Sequence, residues 1–139
     1  MATVEMTAAT FHDRVNSREV VLVDFWASWC GPCAAFAPVF EQASERFPDV
    51  LFGTVDTERE KALATKYAIT GVPTVLVFRD GEAIERRSGA LTVDALDKLI
   101  AMTSAGTRAE RARTVDEEGG WNGIPLYDLP DPLSRTLWT

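Results

Sequence analysis

The chain is short of the residues from which many specialised sites are built. It has one histidine, His12, and two cysteines, Cys30 and Cys33. A structural zinc site takes four ligands, usually two Cys-x-x-Cys pairs or one pair with two histidines. One pair and one histidine do not supply them, so no metal is expected. The cysteines make a poor staple too, because a bridge across so short a loop constrains the unfolded chain little. No apolar run approaches the ~20 residues of a bilayer span. Basic residues are outnumbered, 14 against 21 acidic, for a net charge of −7. That balance argues against nucleic acid and against an anionic membrane surface, both of which call for a basic face. The opening residues, MATVEMTAATFHDRV, hold neither a basic n-region nor an apolar h-region, so no signal peptide is expected. The simplest compartment is then the cytoplasm, where structural disulfides are rare.

What is present is the composition of an ordinary globular domain: 139 residues, 46% hydrophobic and 25% charged. Val20–Ala27 is a nearly continuous apolar run, the pattern of a strand buried on both faces. Phe36, Val39, Phe40, Ala43 and Phe47 recur at helical spacing in the next segment, Cys33–Phe47. A helix capped by Thr7 is expected before that strand, to about Asn16, and another over Thr57–Tyr67. VLFGTVD reads as a second buried strand. PTVLVF and EAIERRSG read as two strands joined at Asp80-Gly81, a strong hairpin signal. Thr92 caps a last helix with Leu96, Leu99 and Ile100 facing inward. The order β-α-β-α-β-α-β-β-α predicts an α/β fold, a mixed sheet with helices on both faces.

The two cysteines fall where a buried strand turns into a helix. Pro32 suits a first helical turn, where its missing N–H costs nothing. Cys30 falls at the helix N-terminus, where free N–H groups and the dipole favour a thiolate. Cys33 lies one turn on, within reach. One thiolate can attack a foreign disulfide while the second thiol waits to resolve the mixed disulfide. The pair is therefore read as a redox tool.

WCGPC after VDFWA, followed by GVPT some forty residues on, resembles the thioredoxin family, and the likeness runs over roughly residues 3–104 in element order. The resemblance implies a thioredoxin fold. It also implies a protein-disulfide reductase that cycles Cys30 and Cys33 between dithiol and disulfide and maintains redox homeostasis. No bound cofactor is implied beyond the redox-active disulfide. Electrons would come from NADPH through a flavin-dependent thioredoxin reductase and pass to disulfide-containing clients. The chain is expected to work as a monomer. Gly31 and Pro32 inside the motif match the reducing members, since oxidising and isomerising relatives usually carry histidine there.

Alternation places Val20, Leu22, Asp24 and Trp26 on one strand face. An acid in the middle of VLVDFW should be desolvated, which raises its pKa and makes it a usable proton carrier. The alternative is an edge aspartate bonded to a turn. The resemblance implies the former, with Asp24 beneath Cys33 and assisting its deprotonation. It also implies a cis bond before Pro73, turning the Val72 backbone toward an extended substrate for strand-like pairing. Trp29, covering the cysteines at the surface, would join Gly71, Val72, Gly89 and Ala90 in a shallow apolar substrate face. Trp26 is read as core, and Pro38 as a structural bend inside its helix.

Two departures remove positive charge: Ala34 follows the motif where many members have a basic residue, and VLFGTVD has no lysine. Rate and partner choice should feel both losses. Residues 105–139 do not fit the family pattern, with seven of the sixteen Gly and Pro residues. They are read as an extension without a fold of its own. Trp121, Leu126, Tyr127, Leu129 and Trp138 are candidate anchors, and the stretch from Trp121 to Pro132 is expected to dock on an apolar surface. Two other functions compete: a binding protein of the same fold with incidental cysteines, and an oxidant or isomerase.

Overall fold

A seven-residue strand that is apolar on both faces needs cover on both faces, and the rest of the chain supplies it. The computed structural model describes residues 2–104. Its elements are β1 (Thr3–Glu5), α1 (Phe11–Val15), β2 (Val20–Trp26), α2 (Gly31–Arg46), β3 (Leu51–Asp56), α3 (Lys61–Lys66), β4 (Thr74–Arg79), β5 (Glu82–Ser88) and α4 (Val93–Ser104). They follow the expected order. The sheet runs β1-β3-β2-β4-β5, parallel through its first three strands and antiparallel across β2-β4 and β4-β5. β2 is thus central, and Asp24 pairs in register with Thr54 on one side and Val75 on the other.

Side-chain alternation on β2 divides the core into two layers. Val20 and Leu22 face Phe36 and Phe40 of α2 and Leu96 and Ile100 of α4. Val21, Val23 and Phe25 face Phe11 of α1 and Leu63 of α3. Asp24 belongs to the first face, the α2 side, where it is 3% exposed.

Several boundaries differ from those expected, each for a local reason. The first helix begins at Phe11 with Thr10 rather than Thr7 at its N-cap, after a turn in which the Thr10 N–H donates to Thr7 O at 3.1 Å. The third helix is shorter than Thr57–Tyr67. Asp56 accepts from the Glu58 N–H through Oδ1 (2.9 Å) and from the Glu60 N–H through its carbonyl (2.8 Å), so a turn precedes it. The second helix begins two residues before Cys33, because Cys30 itself caps it. Thr92 caps α4 as expected, its Oγ1 accepting from the Ala95 N–H at 3.1 Å. The expected docking stretch from Trp121 to Pro132, and its anchors, lie outside the described residues.

Two turns with positive φ mark where backbone chemistry matters most. In the β4-β5 turn Asp80 has φ 53° and Gly81 φ 85°, the double left-handed pattern of a type I′ hairpin. A Cβ on Gly81 would also press on Asn16 Oδ1. At the end of α3, Ala68 has φ 54° and the Ile69 N–H reaches back to Ala64 O at 2.8 Å, a Schellman cap that ordinarily takes glycine. Opposite effects are expected from exchanging the two residue types. Gly81→Ala should lower stability by about 1–2 kcal/mol, and Ala68→Gly should raise it by about 0.5–1 kcal/mol. Urea midpoints measure both, and equal signs would contradict the turn assignments.

Candidate active site

β2 delivers the site through its C-terminal end. The Thr57 N–H and Oγ1 both donate to Trp26 O, at 2.9 and 3.0 Å, which ties the end of β2 to the chain beyond β3. A short turn follows, and Cys30 becomes the N-cap of α2 with Pro32 in the first turn. Cys30 and Cys33 form a disulfide with a Cα–Cα distance of 5.3 Å. The Cys33 N–H donates to Cys30 Sγ at 3.1 Å, so the sulfur occupies the place of a capping oxygen. An anionic sulfur there gains from that N–H and from the positive end of a 16-residue helix.

Both cysteines are buried, Cys30 at 5% and Cys33 at 4% exposure, so accessibility does not distinguish their roles; their places on the helix do. They cluster with Ala27, and Trp26 and Val72 pack on them half-buried. Trp26, read from sequence as core, therefore belongs to the surroundings of the redox pair. Trp29 projects to solvent, 71% exposed.

The expected substrate face is assembled from separate loops. The Val72–Pro73 bond is cis, and Val72 O lies 3.7 Å from Cys30 Sγ. The Gly89 N–H donates to Pro73 O at 2.8 Å, which brings the end of β5 against the same loop. Gly89 has φ 92°, with open space where a Cβ would be. Thr74 Oγ1 donates to Gly71 O at 2.6 Å and holds the loop from below. Gly71, Gly89 and Ala90 are exposed, as are Gly31 and Pro32, while Pro73 is buried.

Behind the disulfide lies a cavity of about 300 Å³, lined by Asp24, Cys30, Cys33, Ala34, Ala37, Glu41, Thr54 and neighbouring residues. Asp24 Oδ1 is buried there with no hydrogen-bond partner. Burial pushes the Asp24 carboxyl up from 3.8 to about 7. Ala34, noted for its missing charge, lines this cavity, and β3, the strand without a lysine, contributes Thr54 to it. The sequence singled out Asp24 and Ala34. It did not point to Ala37, Glu41 or Thr54, which become neighbours of Asp24 only when α2 packs over the β2-β3 pair. The i, i+3, i+7 spacing of Ala34, Ala37 and Glu41 is the one signal that aligns them.

The comparisons with known proteins agree with this geometry. The thioredoxin family model matches residues 2–102. A putative thioredoxin 2 of Streptomyces coelicolor is 41% identical over 117 residues, covering 84% of this chain and 87% of its own. A span of that length in a chain of 139 residues reaches past residue 105 wherever it starts, so the similarity enters the C-terminal extension. Thioredoxin of Bacillus subtilis is 40% identical over 101 residues, covering 72% of this chain and 96% of its own. A mutant thioredoxin from Halobacterium salinarum has a solved structure that superposes with a TM-score of 0.70 at 36% identity, covering 73% of this chain and 89% of that one.

Asp24 makes stability depend on pH. Between pH 3.8 and about 7 the folded chain holds the Asp24 proton and the unfolded chain does not. The native state then binds more protons, so stability falls as pH rises through that window. The full penalty, on the order of 4 kcal/mol, applies above it. Asp24→Asn should be nearly insensitive to this window and more stable than wild type at pH 8, with little gain at pH 4. Urea midpoints of the oxidised proteins at the two pH values measure the difference; parallel pH profiles would contradict the buried-acid account.

Proposed function

The chain belongs to the thioredoxin family and is a protein-disulfide reductase working through Cys30 and Cys33, and on that premise we propose that Cys30 attacks, Cys33 resolves and Asp24 takes the Cys33 proton. The capping bond from the Cys33 N–H to Cys30 Sγ carries this reading, because it favours negative charge on one sulfur of the pair.

In the dithiol state, the Cys30 thiolate attacks one sulfur of a client disulfide. A Cys30–client disulfide forms and the other client sulfur leaves as a thiolate, which takes a proton from water. Cys33 then loses its proton to the Asp24 carboxylate, and its sulfur attacks Cys30 Sγ. The Cys30–Cys33 bond forms, the bond to the client breaks, and the second client sulfur leaves. Two electrons pass to the client, and the pair is left as the disulfide present in the structure. The client lies extended across Gly71, Val72, Pro73, Gly89 and Ala90 beside Trp29, Gly31 and Pro32, and its backbone pairs with that of Val72. The exposure of Trp29 and the bond that joins Gly89 to Pro73 support this face.

Family membership implies a reductase and disulfide clients as partners in general. The specific reading is an NADPH-dependent flavin reductase, a monomeric carrier and a cytoplasmic site of action. Its support is that both cysteines serve the redox pair, with none held back as a staple for an oxidising compartment. No helix among the described residues is long and apolar enough to cross a membrane. Residues 1–104 are proposed as the working domain and 105–139 as an appendage that adjusts client choice.

Reduction of insulin coupled to NADPH through a thioredoxin reductase tests the reading. Cys30→Ser should abolish turnover, while Cys33→Ser should accumulate mixed disulfides that resist release. Trapping by the Cys30 variant instead would reverse the two roles. A chain ending at Ala105 should keep its midpoint and its insulin turnover; loss of either would make the extension part of the working domain.

A further inference from the structure

We propose that the cavity behind the redox pair is a binding site for an alkylammonium group, the side chain of a client lysine or a free amine, donating to the Asp24 carboxyl. The proposal rests on the assignment of Asp24 to the working site. It adds a ligand to that assignment.

The cavity has the shape and the chemistry for such a group. Its wall on α2 is short: Ala34 and Ala37 stand where longer side chains would close it, and both are exposed at the mouth. A volume of about 300 Å³ accommodates a four-carbon chain with an ammonium head. Trp26, Ala27 and Phe40 add apolar lining suited to methylenes. The polar end holds Asp24, Thr54 and Thr3, with Glu41 half-buried on the α2 side. An unpartnered buried carboxylate oxygen is costly and rare, and here it belongs to a residue that lines the cavity.

The charge balance selects a cation. Two carboxylates line the space and no basic residue does, among the described residues. Other charges at this end include Asp56, in register with Trp26, Glu58, which accepts from Ser28 Oγ at 2.9 Å, and the Glu5–Arg59 pair at 3.8 Å on the β1 edge. The described residues hold no group of three metal-ligating side chains, so an organic cation suits the site better than a metal ion. Binding would favour the ionised form of Asp24, the form that accepts the Cys33 proton. A basic residue near a client disulfide would then arm the resolving step as the client docks.

The test uses the oxidised full-length protein and needs no turnover. The ¹³C carboxyl shift of Asp24 is followed against pH in n-butylammonium chloride and in sodium chloride at equal ionic strength. The Asp24 midpoint should fall by roughly one unit in the amine and saturate with its concentration. Ala37→Leu, which fills the cleft, should abolish the difference, and Glu41→Gln should reduce it. Identical midpoints in the two salts, with wild-type protein, overturn the proposal. A second arm identifies the source of the ammonium. Disulfide peptides that carry lysine or glutamine at each of the three residues flanking the cystine are compared as substrates. A preference of about fivefold for one lysine peptide, lost in Ala37→Leu, assigns the site to client side chains. Equal rates alongside a saturable butylammonium shift assign it to free amines. Failure of the wild type to reduce any peptide would count against the reductase reading and would leave the carboxyl titration to judge the cleft.

Discussion

The capping of α2 by a sulfur is the constraint on which the rest of the site depends. A helix N-terminus leaves backbone N–H groups without partners, and a side-chain oxygen usually answers them. Here the answer is Cys30 Sγ, with the Cys33 N–H 3.1 Å away. The arrangement requires the chain to leave a buried strand and enter a helix within a few residues, which β2 and Pro32 together enforce. It also fixes Cys33 one turn on, at bonding distance from its partner. Redox chemistry and helix initiation thus use the same atoms, so a change in one is felt in the other.

Asp24 shows the opposite economy. β2 would be a better strand with valine there: the position is fully buried, one carboxylate oxygen has no partner, and the group holds its proton to about pH 7. The two layers of apolar side chains around β2 carry that cost, as buried ionisable groups in a marginally stable fold require. What the fold gains is a carboxyl whose proton affinity matches neutral pH, lining the same cavity as the thiol pair.

Much of this was legible in the order of residues. The β2 run announced a central strand, Asp80-Gly81 announced a hairpin, and Thr92 announced a helix start; each rests on local chemistry that a sequence displays directly. Asp24 was legible because a charge inside VLVDFW breaks an otherwise apolar pattern. The helix starts at Thr7 and Thr57 were misplaced because threonine and aspartate can satisfy backbone groups in a turn as readily as in a cap. The cavity was not legible at all. Ala34 and Ala37 are unremarkable on a helix, and Glu41 and Thr54 meet Asp24 only through the packing of α2 on β3. Trp26 carried a similar ambiguity, since a tryptophan at a strand end packs equally well in a core or around a thiol pair.

The far edge of the sheet bears on how such a protein survives its own chemistry. A carrier that offers backbone to extended chains risks pairing with copies of itself, and β5 is the obvious place for that error. Its ladder with β4 slips between Val77 and Phe78, so that Glu85 faces Val77 and Ala83 faces Phe78. Glu82, Arg86 and an ion-paired Glu85 and Arg87 crowd the same seven residues, while Arg86 reaches across to the carbonyls of Tyr67 and Ala68. A bulged, charged and tethered edge gives a second molecule no flat row of amides to zip onto. Strand addition at this rim is thereby disfavoured, and crowding in solution becomes less of a hazard to solubility.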